Sequence, residues 1–246
     1  MIATGNATNA QLRRFERNRR DHDFVVGDIH GCFTALEAAL DSIGFSASVD
    51  RLFCTGDLVN RGPESEQVLS WLDKPWFFST MGNHDLMAYR HALGYPQALS
   101  SVVDHGGAWL LDVPNDELIR IGHHLRALPL AIEVEASGGP IGLVHADFSS
   151  DDWRSIDTPF SEDDVAISLW STMRFDRRSS ATVRNIRALI HGHLTVSTAQ
   201  QIANVFFIDT GGRMLGRGHF TFIELESLEV IRGPGGNASF GSQRSR

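Results

Sequence analysis

Gly56-Asp57-Leu58-Val59-Asn60-Arg61-Gly62-Pro63 decides how the rest of the chain reads. The apolar run Leu52-Phe53-Cys54 leads into it, and three residues separate its Asp from its Arg. An apolar strand that ends at Gly-Asp sets the carboxylate at the carboxyl end of a sheet, where open α/β sheets bind ligands. Gly-Asp and Arg-Gly turns are common on protein surfaces, so the stretch takes its meaning from two others. Gly27-Asp28-Ile29-His30-Gly31 follows Phe24-Val25-Val26, and Gly82-Asn83-His84-Asp85 follows Trp76-Phe77-Phe78. Three apolar runs thus each end in a glycine followed by oxygen and imidazole donors.

Working outward, Phe33, Leu36, Leu40 and Ile43 recur at helical spacing, and Gly44 closes that helix. Pro63 suits the first turn of a helix whose inner face holds Val68, Leu69 and Leu72, and Asp85 to Leu93 reads as a third helix. The β-α-β-α-β-α alternation predicts a mostly parallel, right-handed sheet. Residues 96–127 read as helical, with Asn115 as an N-cap. The signal then changes to short strands at Leu130 to Glu135 and Ile141 to His145, joined by the turn Ser137-Gly138-Gly139-Pro140. Ser161 with Asp164 resembles a capping box opening a helix to Trp170. Further strands are expected at Ala188 to Ile190, Asn204 to Ile208, Phe220 to Leu225 and Leu228 to Ile231. The fold class is α/β, a two-sheet sandwich flanked by helices with its ligands at one edge. Residues 1–22 read as a polar, Arg-rich leader, mobile or packed on the surface, with Arg13, Arg14, Arg17, Arg19 and Arg20 solvated. Residues 23–232 form the domain, and the Gly/Ser-rich tail 233–246 is expected to be disordered.

A chain of 246 residues suffices for one large α/β domain with an ample core. The net charge of −8 argues against a nucleic-acid partner, which would want a basic surface. No apolar run approaches the ~20 residues of a membrane span, and residues 1–9 lack a signal peptide's apolar segment. The expectation is a cytoplasmic protein with no membrane partner. Cys32 and Cys54 sit beside expected strands and read as buried small hydrophobes, not a disulfide.

The candidate donors are Asp28, His30, Asp57, Asn83, His84, His145 and His193. Oxygen donors with imidazoles and no thiolates suit Mn²⁺, Fe or Zn²⁺. Two divalent ions ~3.5–4 Å apart can share a carboxylate, and Asp57, central in the series, is the natural bridge. Such an ion lowers the pKa of its water towards ~7 and so provides hydroxide at neutral pH. Arg61 offers a planar fork for two phosphate oxygens. His84 can protonate a leaving oxygen. In Ile190-His191-Gly192-His193 the ligand is read as His193, with His191 as a packing or supporting histidine. His22, His91, His105, His123, His124 and His219 have no comparable setting.

These motifs resemble the phosphoprotein phosphatase-type binuclear metallophosphoesterases, whose fold is the calcineurin-like two-sheet sandwich. Within them the chain looks like the small bacterial and phage-lambda-type Ser/Thr protein phosphatases. The likeness extends through His105-Gly106-Gly107-Ala108-Trp109, Leu143 to Asp147, Leu169-Trp170-Ser171 and Ile208-Asp209-Thr210-Gly211. It implies Asp28, His30 and Asp57 on one metal ion and Asp57, Asn83, His145 and His193 on the other. His84 is then the general acid and Arg61 holds the phosphate. Mn²⁺ is the expected ion, and the expected substrate is a phosphorylated protein or a small phosphoester. Two positions depart from the family. Asn60 stands where relatives carry an Asp that supports the catalytic His. Thr172 stands where relatives carry an Arg, and Arg174 close by is read as a substitute substrate-binding residue. Symmetrical bis(5′-nucleosyl)-tetraphosphatases, which tolerate a neutral residue at the Asn60 position, give a second reading. A non-catalytic phospho-binding scaffold gives a third.

Overall fold

The structure is a computed structural model that describes residues 11–96, 98–214 and 216–235. Its strands are β1 (Leu12–Phe15), β2 (Asp23–Val26), β3 (Arg51–Cys54), β4 (Phe77–Ser79), β5 (Ala131–Val134), β6 (Ile141–Val144), β7 (Ala188–His191), β8 (Gln200–Ile202), β9 (Val205–Phe207), β10 (His219–Glu224) and β11 (Glu229–Gly235). Its helices are α1 (Phe33–Ser42), α2 (Val68–Leu72), α3 (Asn83–Ala92), α4 (Ala98–Asp104), α5 (Asn115–Arg126), α6 (Glu162–Trp170) and α7 (Met173–Asp176).

The strands form two sheets, one in the order β1-β5-β6-β7-β9-β8 and one in the order β11-β10-β2-β3-β4. The central strands are buried on both faces because each sheet has two neighbours. Alternate residues of the two sheets (Val25, Phe53 and Ile223 against Ile132, Leu143, Ile190 and Phe206) interlock as the inner layer. The other face of the second sheet carries Phe24, Val26, Leu52 and Cys54 against Phe33, Leu36 and Leu40 of α1 and Trp71 of α2. The other face of the first sheet sets Ala131, Val144, Leu189 and Phe207 against Phe148, Trp153 and Ile156. This is the expected α/β two-sheet sandwich. Cys32 and Cys54 are free and buried inside it.

Topology explains why the ligand motifs meet. β2, β3 and β4 are parallel neighbours, as are β6, β7 and β9. Within each sheet their carboxyl ends share one edge, and contacts of His145 with Asp57 and of His193 with Asp28 bring the two edges together. Asp28, Asp57 and Asn83 follow β2, β3 and β4, while His145, His193 and Asp209 follow β6, β7 and β9.

Two boundaries differ from the sequence reading. The leader 1–22 is not wholly outside the domain, because Leu12–Phe15 pairs in parallel with Ala131–Val134. Phe15 enters the inner layer, its ring 5.0 Å from Phe53 and 4.5 Å from Phe78. Of the arginines expected to be solvated, Arg13 lies over the Phe15 and Phe78 rings and Arg14 is paired with Glu133 and Asp157. An edge strand of four residues with two central arginines leaves no readable alternation. β11 also runs to Gly235, so the first residues of the expected tail 233–246 are paired with β10. The remainder of that tail, and residues 1–10, lie outside the described residues.

Candidate active site

At this edge the backbone itself is held in unusual conformations. His30, Asp57, Asn60, Arg61 and His193 all have positive φ, between 49° and 71°. Non-glycine residues adopt this region at a cost, and such positions cluster where geometry serves function. Glycines make the close approaches. A Cβ on Gly82 would stand 2.1 Å from Asp57 Oδ1, and one on Gly192 would stand 2.1 Å from Asp28 Oδ1.

Asp57 lies at the centre. Its Oδ2 is 3.5 Å from His30 Nε2 and 4.0 Å from His84 Nε2, and its Oδ1 is 3.5 Å from His145 Nε2. Asp28 Oδ2 is 3.9 Å from His30 Nε2, and His193 N donates to both Asp28 oxygens. Asn83 Oδ1 faces His145 Nε2 at 3.0 Å and His193 Nδ1 at 3.2 Å. Ligand atoms of His30, Asp57 and His84 form one group that could hold an ion, and those of Asp57, His145 and His193 form another.

The donor chemistry fits a pair of cations. His145 Nδ1 lies 2.9 Å from the Thr55 carbonyl, which can only accept, so the ring's Nε2 carries a lone pair. That lone pair, Asn83 Oδ1 and Asp57 Oδ1 therefore converge as acceptors, and a cation is what makes such a set favourable. His30 repeats the pattern, with Nδ1 3.2 Å from the Val59 carbonyl and Nε2 turned to Asp57 and Asp28. Arg61 Nη1 lies 3.1 Å from that Nε2. Burial keeps the histidines neutral, as ligation requires. It lowers His145 to about 3 and His193 to about 4, and it lowers His30 well below its usual range. Burial pushes Asp57 up to about 7 and, with the charges of Asp209 and Asp57, raises Asp28 well above the carboxylate range. Divalent ions would reverse that penalty.

His84 is set apart by its partner. The Trp109 indole can only donate, and it donates to Asn60 Oδ1 at 2.9 Å. That fixes the amide, so Asn60 Nδ2 faces His84 Nδ1 at 3.3 Å and donates to it. A ring that accepts at Nδ1 while neutral carries its proton on Nε2, the atom turned to Asp57. It can donate there but not ligate, so Asp28 suits the first group as a third member better than His84 does. Burial, with the neighbouring Arg61 charge, lowers His84 to about 2. The backbone N–H of His84 donates to Asp57 Oδ1 at 2.8 Å, which locks α3 onto the central carboxylate.

The structure moves one expected residue out of the site. Arg174 is buried, and its guanidinium lies 2.8 Å from Asp151 and 3.4 Å from Asp147, with Phe148, Ser150 and Ala181 carbonyls around it. An arginine so enclosed cannot substitute for one at position 172, where Thr172 instead hydrogen-bonds Asp176. His191 Nδ1 meets the Val144 carbonyl at 2.7 Å and its ring packs on Phe207. Three participants had no assigned role in the sequence. Trp109 sets the Asn60 amide. Asp85 accepts from Gly82 N and Leu58 N, which ties β3's loop to α3, and burial with the Asp57 charge pushes it up to about 8. Asp209 is buried at the end of β9 and accepts from Thr195 Oγ1 and Gly211 N. The Val205-Phe206-Phe207-Ile208 run ending at Asp209 carries a strand-then-carboxylate signal like those at Asp28 and Asp57, without the intervening glycine.

With this geometry, the chain belongs to the calcineurin-like phosphoesterase family, which matches residues 24–219. It is a hydrolase acting on phosphoester bonds. Serine/threonine-protein phosphatase 2 of Escherichia coli (strain K12) is 31% identical over 219 residues, 85% of this chain and 96% of that protein. A symmetrical bis(5′-nucleosyl)-tetraphosphatase of Acidovorax sp. (strain JS42) is 40% identical over 129 residues, 50% of this chain and 43% of that one. A crystal structure bearing a diadenosine tetraphosphatase name superposes with a TM-score of 0.69 at 23% identity, covering 93% and 99% of the two chains. Among the described residues no helix is long and apolar enough to cross a membrane.

Proposed function

We propose that this phosphoesterase is a Mn²⁺-type binuclear phosphomonoesterase that acts on phosphorylated Ser/Thr side chains. The observation that carries the reading is the convergence of unprotonated ring nitrogens with Asp28, Asp57 and Asn83 around one central carboxylate. Asp28, His30 and Asp57 would hold one ion, and Asp57, Asn83, His145 and His193 the other. The ions would supply an activated water and offset phosphate charge. Arg61 binds non-bridging phosphate oxygens through its fork. His84 holds a proton at Nε2 for the leaving oxygen, and Asn60, itself fixed by Trp109, sets that ring's orientation. The likeness to serine/threonine-protein phosphatase 2 over nearly that protein's whole length supports this substrate class.

The Asn60 amide favours a second reading. A neutral partner does not stabilise an imidazolium, so His84 is best matched to leaving groups that need little protonation, such as a nucleotide phosphate. The test measures turnover of a Ser/Thr phosphopeptide panel, an aryl phosphate and diadenosine tetraphosphate with Mn²⁺ added. Turnover of phosphopeptides above the dinucleotide supports the first reading. Turnover confined to the dinucleotide replaces it with the second, and no metal-dependent turnover of any of the three sinks both.

A further inference from the structure

The loop after β9 carries a second arginine, Arg213. Ile208 O and Asp209 Cα lie 2.7 and 3.0 Å from where a Cβ on Gly27 would stand, so this loop is pressed against the Gly27-Asp28 turn. Thr210 Oγ1 donates to the His219 carbonyl at 2.6 Å, and a Cβ on Gly212 would meet the Phe220 ring at 2.3 Å. Met214 N donates to Gly211 O at 2.7 Å and closes a turn that contains Arg213. Anchored on both sides, the turn holds a half-buried Arg213 whose Nε is buried and has no hydrogen-bond partner.

The charge of Arg213 acts on Asp28, His30, Asp57, Arg61 and His84, and on Arg61 it is the largest charged influence. Among the described residues, Arg14, Arg17, Arg51, Arg174 and Arg184 each have a carboxylate within ion-pair distance, whereas neither Arg61 nor Arg213 has one. Two guanidiniums within electrostatic reach of one another, partly desolvated and without an ion-paired carboxylate, are an unfavourable arrangement that an anion between them would relieve. A phosphoryl group matches the fork of each. We infer that Arg213 is a second phosphate-binding residue, acting with Arg61 on the non-bridging oxygens of the phosphoryl group held at the Asp57-centred cluster. This rests on the binuclear phosphoesterase reading above, and it assigns to Arg213 the role first given to Arg174.

The test is calorimetric binding of inorganic phosphate to the Mn²⁺-loaded protein, with metal content measured alongside. Arg213→Ala and Arg213→Gln are expected to weaken phosphate binding about ten- to hundredfold, the range for hydrogen bonds to charged groups, with metal content unchanged. Arg213→Lys should recover part of the loss, and Arg61→Ala should weaken binding comparably. Phosphate affinity within twofold of wild type in both Arg213→Ala and Arg213→Gln would overturn the inference while leaving the site reading intact. Loss of metal in parallel with loss of phosphate would also overturn it, because Arg213 would then act on the ligand cluster. Failure of Mn²⁺-loaded wild-type protein to bind phosphate at all would overturn the site reading and the inference together.

Discussion

Asp57 is the residue on which two candidate ligand groups depend, and it also receives the His84 backbone N–H. Asp57→Asn removes a charge from both groups at once. It is expected to abolish turnover and to lower bound metal more than substitution of any other single ligand. Elemental analysis of the purified variants checks this, and two ions retained with normal turnover would refute it. Asn60 poses a finer question. Asn60→Asp replaces a donor to His84 Nδ1 with an acceptor and places a negative charge beside the ring. An imidazolium is stabilised there, so its pKa rises and activity that needs the protonated ring persists to higher pH. Turnover of an alkyl phosphomonoester should therefore extend to higher pH in Asn60→Asp, with little gain on diadenosine tetraphosphate. A pH–rate profile on both substrates decides it, and a gain on the dinucleotide alone would contradict the assignment of His84 as proton donor.

At the scale of elements, β1 shows how a short edge strand contributes. Only four residues pair with β5, and Phe15 supplies the inward aromatic that meets Phe53 and Phe78. Truncating a fully buried Phe costs ~3–5 kcal/mol, so Phe15→Ala at this half-buried position is expected to cost about 2 kcal/mol. The loss should appear in urea denaturation as a lower midpoint with an unchanged slope. A shift within error of zero would mean that β1 is not part of the cooperative unit. The same element explains why a run of arginines near the start of the chain was readable only as solvated charge. Besides the Phe15 ring, Arg13 lies over Phe78 of β4, and Arg14 pairs with Glu133 of β5, partners supplied by strands far along the chain. By contrast β2, β3 and β4 were legible, because each is a short apolar run closed by glycine and the pattern is wholly local.

For the whole molecule, the buried carboxyls couple metal binding to stability. Asp57 and Asp85 have folded values of about 7 and 8 against an ordinary 3.8, and Asp28 is shifted in the same direction. A raised carboxyl gives stability that is present below its unfolded value and lost as pH rises towards the folded one. The buried histidines have lowered values, so they contribute in the opposite sense, but only below their unfolded value of 6.5. Between pH 6.5 and about 8 the carboxyls alone are changing. The metal-free protein is therefore expected to lose thermal stability across that window, while Mn²⁺ restores it by ligating the ionised oxygens. Melting curves with chelator and with Mn²⁺ should diverge as pH rises from 6.5 to 8. Parallel curves over that window would count against the buried cluster as the metal site.

Local patterns in the chain suffice for the sandwich and the donors at its edge. A glycine after an apolar strand and a ligand after the glycine are properties of neighbouring residues, and parallel pairing carries them to one edge. Which way the longer or symmetric side chains turn depends on packing between segments distant in sequence. The Asn60 amide has two nearly equivalent orientations, and the Trp109 indole, 49 residues on, selects one. Arg174 and Arg213 each have several rotatable bonds, and no local pattern chooses among their rotamers. Asp147 and Asp151 hold the Arg174 guanidinium, whereas Arg213 sits in an anchored turn with an Nε that has no hydrogen-bond partner. The direction of a guanidinium is set by partners distant in sequence, so folding alone distinguishes these two arginines.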